Sequence, residues 1–308
     1  MEHRGTTNAD AYNYYLMARK YWITGNWGNI AQLELVIRIC QRAVERDPNY
    51  ARAWGLLALV QCILHFTFDG GDDDGTVAAN RALSLDPNIA EAHCVRARHA
   101  YEQGRFADSD EALKRALEIE PDSWELNREA ARIFYFQRRF AEAARHYEKA
   151  VEIDDSDYHS WSMLCSAYPA LGDEAGTARA AEMALAAAER ALAHDPTNGS
   201  ALGTGLTGLG ILKQRERANE WIERALLISP DNLFMRYNFA CTMALQFHDA
   251  EAALDLLEPI FPRLTVSAYK AVSADPDLDS LRDHPRFRRL MEQLAERLSA
   301  TLSTPAAT

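Results

Sequence analysis

The chain has 308 residues, 48% hydrophobic and 25% charged, which is too apolar for disorder and ample for an extensive core. Its net charge of −12 opposes the clustered lysine and arginine that phosphate binding needs, so nucleic acid is excluded as an expected partner. The longest unbroken apolar stretch, Trp54–Val60, is far short of the roughly 20 residues that cross a bilayer, and no membrane partner is expected.

The N-terminus, MEHRGTTNADAY, is polar and has no apolar signal core, which points to a cytoplasmic chain with a polar segment over residues 1–10. Five cysteines (Cys40, Cys62, Cys94, Cys165, Cys241) stand singly with no C-x-x-C pair, so neither disulfides nor a zinc site are expected. No cofactor or metal is implied.

From residue 11 the chain repeats. RAVERDPNYARA, RALSLDPNIAEA, RALEIEPDSWEL, KAVEIDDSDYHS, RALAHDPTNGSA and RALLISPDNLFM align on Ala43, Ala82, Ala116, Ala150, Ala191 and Ala225. Three of the steps between them are 34 residues. In chain order the units span about 11–50, 51–89, 90–123, 124–157, 158–198, 199–232 and 233–262. C-terminal helices follow over 265–302 and a disordered tail over 303–308, so 11–302 reads as one domain.

The first unit carries extra residues around GNWGNI. The second has an acidic loop, FDGGDDDG, in the same place. A calcium loop of that register would need a carboxylate at position 70 and a glutamate at 81, where the chain has Gly70 and Arg81, so a solvated turn is expected. The third and fourth units are the most regular. Small residues recur at Ala97, Ser109 and Ala116, then at Ala131, Ala143 and Ala150, where paired helices must approach closely. Phe106, Leu113, Phe134 and Tyr147 fill the gaps between them. The fifth unit is longer than the 34-residue repeat, which predicts a long second helix.

The sixth unit opens with ALGTGLTGLG, whose Gly203, Gly205 and Gly208 match the G-x-G-x-x-G spacing of dinucleotide loops. Such a loop needs a strand before it, and here a helix and turn precede, so the run reads as the first helix of a repeat. Each glycine costs about 1 kcal/mol against alanine in a helix interior. The seventh unit has Pro259 at an alanine position. A closing amphipathic helix starts near Pro285, with Arg286, Arg288, Arg289 and Arg297 on its polar side.

AEAHCVRARHAYEQGRFADSDEALKRALEIEPDS and WELNREAARIFYFQRRFAEAARHYEKAVEIDDSD resemble the tetratricopeptide repeat consensus. The resemblance implies an all-α fold, an α-α superhelix of about six helical hairpins with a C-terminal capping helix. YNFACTMALQFHDAEAALDLLE, the tail and the opening NADAYNYYLMARKYW are similar to the repeat regions of bacterial class III adenylate cyclases and winged-helix regulators. That implies, as an alternative, a regulatory region whose output domain lies outside this chain. In the family, inward positions of each first helix line a concave groove. Here they are Glu91, Cys94, Arg98 and Tyr101, then Glu125, Arg128, Arg132, Tyr135 and Phe136. Cys94, Arg98 and Glu129 stand where the family's carboxylate clamp needs lysine and asparagine, so chaperone-tail binding is not expected.

Nine histidines lie apart from any recognisable nucleophile, and no G-x-S-x-G elbow occurs. The expected function is therefore non-enzymatic: a scaffold that binds a protein or peptide segment, or a second copy of the chain. Glu91, Arg98, Tyr101, Arg128, Arg132 and Tyr135 are the candidate contacts, since arginine and tyrosine anchor interfaces. The competing reading pairs those arginines with Glu91, Glu125 and Glu129. Reversing charge at Arg128 and Arg132 is expected to weaken partner binding and leave thermal stability nearly unchanged.

Overall fold

The computed structural model describes residues 5–23, 30–68, 70–228, 230, 232–264, 268–269, 272–273 and 275–303, and every regular element among them is helical. The GNWGNI insertion falls almost entirely outside the described residues, as does most of the segment read as a helix from 265 and the tail beyond Ser303. Two compact units divide the chain, Met1–Gly172 and Asp173–Thr308.

The first unit holds α1 (Ala9–Ile23), α2 (Ile30–Arg46), α3 (Ala51–Phe68), α4 (Thr76–Leu85), α5 (Ala90–Glu102), α6 (Phe106–Ile119), α7 (Trp124–Phe136), α8 (Phe140–Ile153) and α9 (Tyr158–Ala170). The second holds α10 (Glu174–His194), α11 (Gly199–Ile211), α12 (Arg215–Ile228), α13 (Leu233–Gln246), α14 (Ala250–Leu257) and α15 (Pro285–Ser303). Hairpins pair α1 with α2, α3 with α4, α5 with α6, α7 with α8, α11 with α12 and α13 with α14. Successive first helices also pack together, α3 on α5, α5 on α7 and α11 on α13.

The repeated aspartates explain where second helices stop. Asp47, Asp86, Asp154 and Asp195 each accept a bond from the backbone N–H two residues on, at 2.8–3.0 Å, and so close the turn that the following proline or polar residue begins. Several first helices are then capped by a side chain: Ser123, Asp157, Asn198 and Asn232 accept N–H groups of the first turn. The third unit departs from this punctuation, because Glu120 stands where its neighbours have aspartate.

Small residues do fall at the helix crossings. Ala97, Ala131, Ala143 and Ala150 are fully buried, and Ser109 donates its hydroxyl to the Ala97 carbonyl at 2.9 Å across the hairpin. Two positions differ from expectation. Ala191 is only half-buried, because in the 21-residue α10 the contact passes to Ala184 and Ala188. Phe106 is half exposed, since it opens α6 beside the turn, where its ring lies 6.0 Å from Tyr101 at the end of α5.

The glycine run lies inside α11, where each glycine meets a neighbour. A Cβ at Gly205 would stand 2.6 Å from the Trp221 ring of α12, and one at Gly208 2.7 Å from the Ala181 carbonyl of α10. Helices approach there because no side chain intervenes. The closing helix α15 buries Phe287, Leu290, Leu294 and Leu298. Its Arg286 is not simply solvated: it bonds Glu251, Asp255 and Glu258 of the preceding segment, and Arg297 donates to the Leu264 carbonyl.

Candidate functional site

The inner face of the first unit is built from α1, α3, α5 and α7, and long side chains span it. Arg19 of α1 reaches Glu125 of α7 at 2.7 Å, and Trp22 of α1 lies 6.0 Å from the Arg128 guanidinium of α7. From the end of α3, Thr67 accepts a bond from Arg132, and the Phe66 carbonyl accepts one from Arg98 at 3.3 Å. Each candidate arginine is thereby buried: Arg98 is 7% exposed, Arg128 2% and Arg132 7%.

Their charges are met inside the protein. Arg98 pairs with Glu102 at 2.7 Å, Arg128 with Asp157 at 3.8 Å and Arg132 with Glu129 at 4.0 Å. Aromatic rings take up the planar faces, with Trp124 4.5 Å from Arg128 and Phe136 5.8 Å from Arg132. Burial, then the Arg98 charge, lowers the pKa of Arg132, and burial with Arg128 and Arg132 drives His159 well below its usual value. The chemistry of these residues is therefore that of a charged interior. Reversing Arg128 or Arg132 would leave Asp157 or Glu129 buried against a like charge, so the expected indifference of stability is corrected: the site supports the fold.

Of the six sequence candidates, Glu91, Tyr101 and Tyr135 keep accessible surface. Tyr101 and Tyr135 sit at the C-terminal ends of α5 and α7 within an aromatic chain, where Tyr101 stacks on Phe136 at 6.4 Å and Tyr135 meets Phe140 edge-on at 5.4 Å. Glu91 is at the other end, in the first turn of α5, so the six do not form one cluster.

Glu91 instead lines a crevice of about 620 Å³ that sequence reasoning missed. Tyr15 and Arg19 of α1 form one wall and Arg52 and Leu59 of α3 the next. The turns before α5 and α7 contribute Asp86 and Asn88, then Glu120 and Asp122, with Trp124 and Glu125 at the start of α7. Burial first, then the charge of Glu120, pushes the Glu91 carboxyl up to about 7. Burial and Glu91 likewise push the Tyr15 phenol up to about 12. Another crevice, of about 540 Å³, lies along α4, α5 and α6, and several of its charged groups are already engaged: Arg105 with Asp108, Arg96 with Asn80 and Arg115 with Asn88.

All five cysteines are buried, and burial pushes the Cys62 thiol up to about 12 and the Cys94 thiol well above its usual value, so both stay protonated. Among the described residues no group of histidine, cysteine and carboxylate side chains is arranged to hold a metal, and no helix is long and apolar enough to cross a membrane.

Stacked antiparallel hairpins nested on small residues define a helical-repeat protein. Residues 100–168 match the tetratricopeptide repeat family. The repeat register and the fold of the described hairpins agree with that match. Among solved structures it resembles the human IFIT1 dimer with PPP-AAAA, at a TM-score of 0.57 and 14% identity over 90% of this chain and 70% of that one. Pseudomonas aeruginosa PilF is matched at 0.46 and 16% identity over 75% of this chain and 100% of that one. At 14% identity the likeness to IFIT1 is one of fold alone. A search of curated protein sequences finds no match.

Proposed function

We propose that the chain is a non-enzymatic scaffold that holds a protein or peptide segment against the inner face of its first unit. The observation that carries this reading is the crevice between α1, α3, α5 and α7, which is open, polar at its rim and walled by the rings of Tyr15 and Trp124. Tyr101 and Tyr135 extend the accessible surface toward the far ends of α5 and α7.

IFIT1 was solved with PPP-AAAA. A polyphosphate suits this crevice poorly, because five carboxylates line it against two arginines and affinity for phosphate comes from neutralising lysine and arginine. A protein segment fits the composition better than an RNA.

Site-specific photo-cross-linking in native cells tests the reading. A benzophenone at Trp124 or Tyr101 should give a discrete adduct with one partner, and the same group at Lys114, on the exposed side of α6, should not. Equal capture from all three positions would remove the inner-face assignment.

A further inference from the structure

Two carboxylates in the crevice stand apart from the ion pairs that balance its surroundings. Glu125 is answered by Arg19 at 2.7 Å, and its other oxygen accepts the Ser123 hydroxyl at 2.9 Å. Glu91 and Glu120 make no ion pair among the described residues, although both line the same crevice. Glu120 owes its place to a local departure from the repeat. At the position of Glu120, four other units have an aspartate whose carboxylate closes its own turn at 2.8–3.0 Å. The extra methylene of glutamate gives up that turn bond, and the carboxylate joins the crevice wall. Glu91 lies beside Gly55 of α3, where an added Cβ would stand 2.4 Å from Ile89 and only in ordinary contact, 3.4 Å, with the Glu91 carboxylate.

We infer that the crevice receives the guanidinium of an arginine carried by the partner segment, set between the carboxylates of Glu91 and Glu120 with its methylene stem along the Trp124 and Tyr15 rings. The inference rests on the scaffold reading above and names the chemistry that the segment must bring. A guanidinium offers five donors in a planar fork, which two carboxylates can share, and its stem suits aromatic walls. Asp86 and Asp122 add negative charge at the rim, and Arg52 opposes it.

The proton on Glu91 gives the site a signature. Glu91 faces Tyr15 and Arg19 on α1, Arg52 on α3, Asp86 and Glu120 on the flanking turns and Glu125 on α7. Burial, then the Glu120 charge, raises its carboxyl to about 7, so a bound cation must displace a proton at lower pH. Binding should strengthen as pH rises from 6 to 8.

The test uses the full chain and two blocked pentapeptides, acetyl-Gly-Gly-Arg-Gly-Gly-amide and its citrulline counterpart, which has the same shape without the charge. Titration is followed on the Trp124 indole N–H resonance, assigned with W124F. The arginine peptide should shift that resonance at least about tenfold more tightly than the citrulline peptide. Glu91→Gln with Glu120→Gln should weaken the arginine peptide about tenfold and abolish the pH dependence. Equal binding of the two peptides, or no shift of Trp124 at about 10 mM peptide, would overturn the inference. The peptide comparison needs no variant, so misfolding cannot imitate either result. Cross-links specific to the inner face with no arginine preference would leave the scaffold and remove the arginine site. Arginine binding without such cross-links would keep the site and remove the scaffold reading.

Discussion

Two alanine substitutions five residues apart in α11 should change stability in opposite directions. At Gly203 a Cβ meets only ordinary contacts, 3.8 Å to the Asn238 amide nitrogen and 3.9 Å to the Met235 Cα. Gly203→Ala therefore keeps the helix-propensity gain and should stabilise the second unit by about 0.5–1 kcal/mol. At Gly208 the added carbon stands 2.7 Å from the Ala181 carbonyl oxygen and 3.3 Å from the Leu185 Cβ, and the nearest atom is backbone. It can retreat only if α10 shifts. Overpacking of that kind costs about 1–3 kcal/mol, which offsets the propensity gain and leaves a net loss of up to about 2 kcal/mol. Thermal melting followed by circular dichroism should separate the variants by several degrees, about 2–4 °C for each kcal/mol in a chain of this order of size. Because the chain has two compact units, a single melting curve need not be two-state, so amide exchange over residues 199–211 should report the same ordering locally. A Gly208→Ala protein as stable as Gly203→Ala would refute the close approach of α10 and α11. It would also reopen the question of why the run is glycine.

Charge reversal at Arg128 or at Arg132 should cost about 3–5 kcal/mol in urea titration, since each guanidinium is the buried partner of a carboxylate, and a loss below about 1 kcal/mol would deny the charged interior. Arg138 and Gly104 occupy the same place in successive turns, both with positive φ (60° and 72°). Arg138→Gly should stabilise by about 1 kcal/mol and Gly104→Ala destabilise by a similar amount, checked by the same titration. Glu91 gives a pH-dependent result: its carboxyl is raised from 4.5 to about 7, so the folded state holds the proton more tightly than the unfolded state. Its stabilising share is present below pH 4.5 and lost as pH rises to about 7. Glu91→Gln should accordingly melt higher than the parent at pH 8 and level with it at pH 4.5, and a constant offset at both pH values would contradict the assignment.

The repeat register was legible because it rests on local constraints. Close helix crossings demand alanine or serine, and turns demand an aspartate that bonds two residues ahead, so Ala97, Ser109, Ala150 and Asp195 mark their own positions. Alanine spacing could not foresee how α10 seats itself. Once the helix lengthens, Ala184 and Ala188 become equally small alternatives to Ala191, and packing chooses among them.

The site was less legible, since it depends on which residues meet across the inner face. Glu91, Arg98 and Arg128 hold inward positions by register alone. Whether an inward arginine is a ligand contact or a buried strut depends on what α1 and the end of α3 send across to it, and those partners lie 32 to 106 residues away in sequence. The signal that could have found the crevice was the exception at Glu120. Where four comparable turns spend a carboxylate on their own backbone, a side chain one methylene longer places its charge elsewhere. Glu91 and Glu120 thus repel each other at the crevice wall, and the Arg19 charge offsets that repulsion without cancelling it. A proton or a cation brought from outside would relieve the rest, and these two occupants compete on the same carboxylate. That competition is why the pH dependence of arginine-peptide binding, more than its strength, distinguishes a recognition site from a charge tolerated by the fold.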